Sequence, residues 1–244
     1  MKLLTFNLLY GGKKKDINYW NEMISDFDPD IIFVQESNAP HTYFQDKEMN
    51  YFDESVVWDA TRSGWGSAIY VKNNTMEKID IPGFNGWVVG GKLIKPFMGQ
   101  KNLFIFSIHT PSPGPYDKNT FAILDVIKKI VGDHELVIAG DFNMTTALRH
   151  ESEELKLHKA DYELITKLRK DFGLMNSWQI IHPNKDLPQT LRWNKNKKPP
   201  YHIDGIFIPF SWAKYIDECE VIDREPWNKM SDHNPILLSL ESYQ

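Results

Sequence analysis

Residues 137–146 read VIAGDFNMTT, and the reading of the fold starts from this stretch. Val137, Ile138 and Ala139 form a short apolar run of the kind that builds a buried strand. Gly140 delivers the chain to Asp141, and Asn143 follows two residues later. A carboxylate and an amide at the end of an oily strand have an ordinary explanation. Asp and Asn cap helices and close turns by accepting backbone N–H bonds. Taken alone, the stretch supports that reading as well as a functional one, so the other strands must decide.

Strand-like runs recur at Leu3–Leu8, Ile31–Gln35, Ser67–Val71, Trp87–Leu93, Leu103–Ile108, Glu135–Ala139, Ile203–Ile208 and Ile236–Leu240. Six of these segments present a polar residue at an end: Asn7, Glu36, His109, Asp141 with Asn143, Asp204, and the pair Asp232-His233. Amphipathic helical spacing fills Asp16–Phe27, Asn119–Val131 and Asp161–Phe172, and the apolar stripe of each is expected in the core. The strand–helix–strand order implies helices packed outside sheets in an α/β protein. With no close repeat and no low-complexity linker, residues 1–244 are expected to form a single domain.

At 244 residues, 41% hydrophobic and 25% charged, the chain has a globular composition. Its net charge of −5 argues against a broad nonspecific grip on polyanions and points to a focused site if phosphates are handled. The lone cysteine, Cys219, excludes an intramolecular disulfide and any multi-cysteine metal cluster. No apolar run reaches the ~20 residues of a membrane span, and a cytoplasmic location is the default expectation. Lys13–Lys15 and Lys195–Lys198 read as solvated loops or as phosphate-steering patches. Neither Gly11-Gly12-Lys13 nor Gly90-Gly91-Lys92 has the spacing of a nucleotide-cradling loop.

If the polar strand ends converge, their charge needs compensation. Two carboxylates ~4 Å apart repel by ~4 kcal/mol at an effective dielectric of about 20. Glu36, Asp141, Asp204 and Asp232 together would cost several times that. Two histidines offset part of it and a divalent cation offsets more. Oxygen donors suit Mg²⁺ or Mn²⁺, and no set of three His-rich ligands appears for zinc. Such a site suits a phosphorylated substrate.

The motifs Thr-Phe-Asn (5–7), Val-Gln-Glu (34–36), Ser-Ile-His-Thr (107–110), Gly-Asp-Phe-Asn (140–143), His-Ile-Asp-Gly-Ile-Phe (202–207) and Ser-Asp-His-Asn-Pro (231–235) resemble, in order and over essentially the whole chain, the endonuclease/exonuclease/phosphatase superfamily. The resemblance implies a four-layered sandwich: two packed mixed β-sheets flanked by helices. It implies a Mg²⁺- or Mn²⁺-dependent phosphoesterase, foremost a nuclease cleaving DNA or RNA by attack of water on phosphorus. The alternative is a phosphatase or phosphodiesterase for a small or lipid-linked phosphoester. No obligate protein partner is evident.

By position in those motifs, Glu36 corresponds to the principal metal ligand, with Asn7 and Asp232 beside or in the metal site. Asp141 corresponds to the residue that orients or deprotonates water, and Asn143 to one that holds the phosphate or that water. His233 would contact the scissile phosphate, with Asp204 fixing its tautomer. His109 resembles the histidine of the deoxyribonuclease, sphingomyelinase and deadenylase branches, as a general acid or a second phosphate donor. Pancreatic-type deoxyribonucleases orient that histidine with a carboxylate. Here the matching approach, Ser63-Gly64-Trp65-Gly66, has none, so the partner of His109 is left open. Arg62, Arg192 and Trp193 are expected to bind substrate through phosphate and stacking contacts.

Overall fold

The computed structural model describes residues 1–12, 17–42, 55–112, 114–153, 155–193 and 200–241. Both basic runs, Lys13–Lys15 and Lys195–Lys198, lie outside these described residues. Two six-stranded sheets stack face to face. The first contains β1 (Lys2–Asn7), β2 (Ile31–Ser37), β3 (Val56–Ala60), β4 (Gly66–Val71), β11 (Ile216–Val221) and β12 (Ile236–Leu240), in the order β11-β12-β1-β2-β4-β3. The second contains β5 (Met76–Ile79), β6 (Val88–Leu93), β7 (Phe104–His109), β8 (Leu136–Asp141), β9 (Leu174–Asn176) and β10 (Asp204–Pro209), in the order β5-β6-β7-β8-β10-β9. Both sheets are mixed: β1 runs parallel to β2 and β7 to β8, and the remaining pairings are antiparallel.

Successive side chains of a strand face opposite ways, and here both faces are covered. Leu3, Ile31 and Phe33 point between the sheets toward Ile105, Val137, Ala139 and Ile206. Leu4, Phe6, Ile32 and Val34 point outward, against Tyr19, Trp20, Met23 and Phe27 of helix α1 (Tyr19–Phe27). On the other side, Phe104, Phe106, Ile108 and Ile138 meet Ile123, Leu124 and Ile127 of α2 (Tyr116–Val131) and Leu164 and Leu168 of α3 (Lys159–Phe172). That double burial is why the central strands read as unbroken apolar runs rather than alternating ones. The described residues also form the short helices α4 (Ser177–Ile181) and α5 (Trp227–Met230). Among the described residues no helix is long and apolar enough to cross a membrane.

Register places the polar strand ends on one rim. In the parallel pairs Asn7 lies opposite Gln35, and His109 opposite Asp141. Asp204 opens β10 directly across from Asp141. Because β12 is antiparallel to β1, with Thr5 opposite Ile236, the residues just before β12 return to the same edge. Gly140 permits the two sheets to close here. Its φ is +137°, and a Cβ at that position would sit 2.0 Å from the Ile108 carbonyl and 2.9 Å from Gln35 Nε2. Gln35 Nε2 itself donates to Ser107 Oγ at 3.0 Å, joining the sheets just beneath the rim.

Candidate active site

Asn7 bridges the two sheets' acids. Its Nδ2 donates to Glu36 Oε1 at 3.3 Å and to Asp141 Oδ2 at 3.0 Å. Its Oδ1 accepts Leu9 N at 2.9 Å. Glu36 Oε2 takes Tyr10 N at 2.8 Å, and Asp141 Oδ1 takes Asn143 N at 2.9 Å. Asn143 Nδ2 reaches the Thr110 carbonyl at 3.1 Å. Glu36, Leu9, Tyr10 and Asn143 all have φ between +51° and +57°, four of the seven non-glycine residues in the left-handed region among those described. Each such conformation costs about 1–3 kcal/mol and persists only where its surroundings over-determine it.

Both imidazoles are buried beside these acids but are held differently. His233 Nδ1 lies 2.9 and 3.1 Å from the two Asp204 oxygens, and its Nε2 lies 3.7 Å from Asp141 Oδ2. Burial pushes the His233 pKa down, but Asp204 and Asp141 outweigh burial and raise it to about 10, so it is a cation. His109 Nε2 lies 3.6 Å from Glu36 Oε1 and 3.8 Å from Asp141 Oδ2. Those distances resemble ion pairs. Burial, aided by the neighbouring His233 charge, nevertheless lowers the His109 pKa to about 3, so the ring is neutral.

No carboxylate bonds the other nitrogen of His109. Nδ1 has no hydrogen-bond partner among the described residues. The ring is packed instead against Trp65 and Trp87, with centroids at 5.6 and 5.0 Å.

The carboxylates show the strain of their crowding. Burial raises Asp141, helped by Asp204, to about 7. Burial also lifts Glu36 above the ordinary range, and Asp232 adds to it, against the Tyr10 amide and Asn7. Acids held up for want of positive charge, all offering oxygen, are a fitting donor set for a hard divalent cation. Ligand atoms of Asp141, Asp204 and His233 also lie within 4.8 Å of one another, a set that could hold a metal ion. There, however, His233 is a cation whose Nδ1 already serves Asp204, and a protonated imidazole is no ligand.

The segment before β10 fixes these parts. Thr190 Oγ1 accepts Ile203 N at 2.9 Å and Asp204 N at 3.1 Å. The Arg192 guanidinium donates to the carbonyls of Ser231 and His233 at 2.7 and 3.1 Å, and to Asn234 Oδ1. Arg192 is 6% exposed, so its fork is spent inside the protein; this corrects the expectation that it binds substrate. Trp193, the next residue, is 61% exposed, and Arg62 is exposed on the turn that leads to Trp65. Tyr10 and Trp87 stand at the site without having been singled out for it from the sequence. The only signal for them is nearness to a motif.

Against protein families, residues 4–233 match the Endonuclease/Exonuclease/phosphatase family. The chain belongs to that family. As a member of the Endonuclease/Exonuclease/phosphatase family it is a hydrolase of phosphoester bonds. The sandwich is shared with the 3'-5' exonuclease from Neisseria meningitidis, at TM-score 0.74 and 17% identity over 99% of this chain and 100% of that one. An AP endonuclease from Archaeoglobus fulgidus matches at 0.70 and 17%, over 99% and 100%. The endonuclease domain of TRAS1, a telomere-specific non-LTR retrotransposon, matches at 0.68 and 16%, over 100% and 99%. At these identities the likeness is one of fold. Among curated proteins no sequence matches the chain.

Proposed function

We propose that residues 1–244 act as one catalytic domain, a Mg²⁺- or Mn²⁺-dependent phosphodiesterase that cuts DNA or RNA by attack of water on phosphorus. One observation carries this reading. His233, charged at neutral pH and backed by Asp204, lies 3.7 Å from Asp141, a carboxyl poised near neutral pH.

Asp141 is the general base. Brønsted behaviour favours a base with a pKa near the working pH, and Asn7 Nδ2 and Asn143 N aim its oxygens. The Nε2–H of His233 stabilises charge that develops on the phosphoryl oxygens. His109, neutral, supplies a second hydrogen bond to the phosphate in preference to acting as a general acid. Glu36 and Asp232 would hold the cation, with the remaining lone pair of Asn7 Oδ1 beside them. When bound, the ion neutralises phosphate charge and stabilises the leaving oxygen. Trp193 and Arg62 are the substrate contacts at the rim, and Arg192 is the residue that keeps the His233 loop in place.

The choice of nucleic acid is supported by relatives of the same fold, including a 3' phosphatase from Neisseria bound to product DNA hairpin. The net charge of −5 favours a second reading, a phosphatase or phosphodiesterase for a small or lipid-linked phosphoester. Incubation with single- and double-stranded DNA and RNA, with Mg²⁺ or Mn²⁺ and with or without EDTA, separates the two. Ion-dependent cleavage of at least one polymer is expected. Turnover of a small phosphoester with every polymer left intact moves the substrate to the second reading. Turnover unaffected by EDTA removes the metal.

A further inference from the structure

Three aromatic rings stand beside the acidic centre without a part in the chemistry above. Tyr10 meets Trp65 edge-on at 5.8 Å, and Trp65 meets Trp87 at 5.2 Å with planes 89° apart. The two indoles form a corner over His109. Trp87 is rooted in the apolar layer under α2, but Tyr10 and Trp65 belong to no core cluster. Tyr10 is 65% exposed, a large apolar surface kept in solvent on a left-handed backbone whose amide is tied to Glu36. The carboxylates of Glu36 and Asp232 raise its phenol pKa, which places the ring in the field of the acidic centre.

The corner is built in advance of any ligand. Trp65 closes a turn through Thr61 N and Thr61 Oγ1, both donating to the Trp65 carbonyl at 2.7 Å. Ser67 links that turn to the next loop, its Oγ donating to the Trp87 carbonyl at 2.8 Å and its N to the Gly86 carbonyl at 2.8 Å. The loops approach so closely that a Cβ on Gly86 would lie 2.1 Å from Thr61 N. One sheet thus supplies Trp65, the other Trp87, and the β1 loop supplies Tyr10.

We infer that Tyr10, Trp65 and Trp87 form a stacking corner for one nucleobase of the nucleotide beside the scissile phosphate, so that the enzyme takes strands whose base there is unpaired. The inference rests on the phosphodiesterase reading and specifies its substrate. A flat ring with a polar edge fits against the exposed Tyr10 ring, with the Trp65 and Trp87 pair behind it and the carboxylates beside it. An alkyl chain would need a longer apolar trough than three rings provide. Stacking also answers the charge problem, because a chain of net charge −5 cannot draw most of its affinity from phosphate contacts. Base–aromatic stacking supplies affinity without cations, and its loss by alanine substitution weakens binding by about 5- to 150-fold per base.

Tyr10 is the clean probe, since both indoles also pack His109. Thymidine 5'-(p-nitrophenyl phosphate) and methyl p-nitrophenyl phosphate release the same leaving group, and only the first carries a base. The wild type should favour the thymidine ester in kcat/KM. Tyr10→Ala should shrink that preference at least five-fold, chiefly through KM, and Tyr10→Phe should keep it. An unchanged preference in Tyr10→Ala overturns the inference, as does an octyl ester hydrolysed better than the thymidine ester. If the wild type hydrolyses neither nitrophenyl ester, polymer cleavage decides the phosphodiesterase reading, and tryptophan emission decides the corner by itself. Adenosine should quench it where ribose does not, and Tyr10→Ala should weaken the quenching. Equal response to adenosine and ribose overturns the corner whatever the enzyme hydrolyses.

Discussion

Asp204 and His233 are 29 positions apart in the chain and 2.9 Å apart at the site. The carboxylate has two effects there: it orients the His233 ring through Nδ1–H and it keeps the ring charged against the pull of burial. Asp204→Asn keeps the shape and removes the charge. Turnover is expected to fall by about 10²- to 10⁴-fold, the range associated with a misprotonated or misoriented catalytic histidine. The thermal midpoint should move by only a few degrees, because the hydrogen-bonded backbone of β10 is untouched. Steady-state kinetics with circular dichroism melts measure both, and wild-type turnover in Asp204→Asn would remove the charged-histidine mechanism. His109 illustrates the opposite solution. With indoles packing its ring and the nearest carboxylates 3.6 and 3.8 Å away, burial prevails and the ring stays neutral.

The Thr190–Arg192 segment acts as a bracket between β10 and the loop before β12, holding Asp204 by its amide and His233 by its carbonyl. Thr190 is fully buried, so Thr190→Val leaves two amide hydrogens with no acceptor at about 1–3 kcal/mol each. A destabilisation of about 2–6 kcal/mol is expected, with turnover reduced and both recovered in Thr190→Ser. Urea melts beside kinetics test this, and a Thr190→Val protein as stable as wild type would refute the bracket.

Such a device is hard to see in sequence, because Thr-Leu-Arg-Trp gives no hint that the arginine folds inward. The eight strands read from sequence are the eight central ones, because double burial makes them plain apolar runs. The four that were not read, β3, β5, β9 and β11, are the four sheet edges. β3, β5 and β11 are mostly half-exposed or exposed, as in Met76–Ile79 and Ile216–Val221, and β9 spans only three residues, so no run marks them. Helix starts were misjudged for a local reason: Asp161 was read as the first residue of α3 but is its third-position cap, bonded back to His158 N. The gathering of Asn7, Glu36, Asp141, Asp204 and His233 needed the family resemblance as well as the strand pattern, because register between distant strands is not written in any one of them.

Across the whole molecule, stability should respond to acid through imidazoles that folding keeps neutral. His202 is buried between the Trp178 ring and loops 146 and 188, with Nδ1 2.9 Å from the Pro188 carbonyl. Burial lowers its pKa to about 4 from 6.5, although Pro188, Asp204 and Glu153 pull upward and Arg149 pushes down with burial. Between pH 6.5 and about 4 the unfolded chain therefore takes up a proton that the folded chain refuses. The contribution is fully present above pH 6.5 and is lost as pH falls through 4, an amount of about 3 kcal/mol. His109 acts in the same direction from pH 6.5 down to about 3. Asp141 acts in the opposite direction: its pKa is raised to about 7 from 3.8, so it destabilises the fold at neutral pH and relieves that as pH falls. His233, raised to about 10, changes stability only above pH 6.5. A single stability curve mixes these effects, but comparison with His202→Asn isolates one of them. The variant keeps an N–H donor for Pro188 and removes the titration, while Asp141 and His109 are common to both proteins. With EDTA present throughout, wild type should be the more stable at pH 7 and should lose about 3 kcal/mol of that advantage by pH 4. Urea-unfolding curves of the two proteins that stay parallel from pH 7 to pH 4 would show that His202 accepts its proton in the folded state as readily as in water.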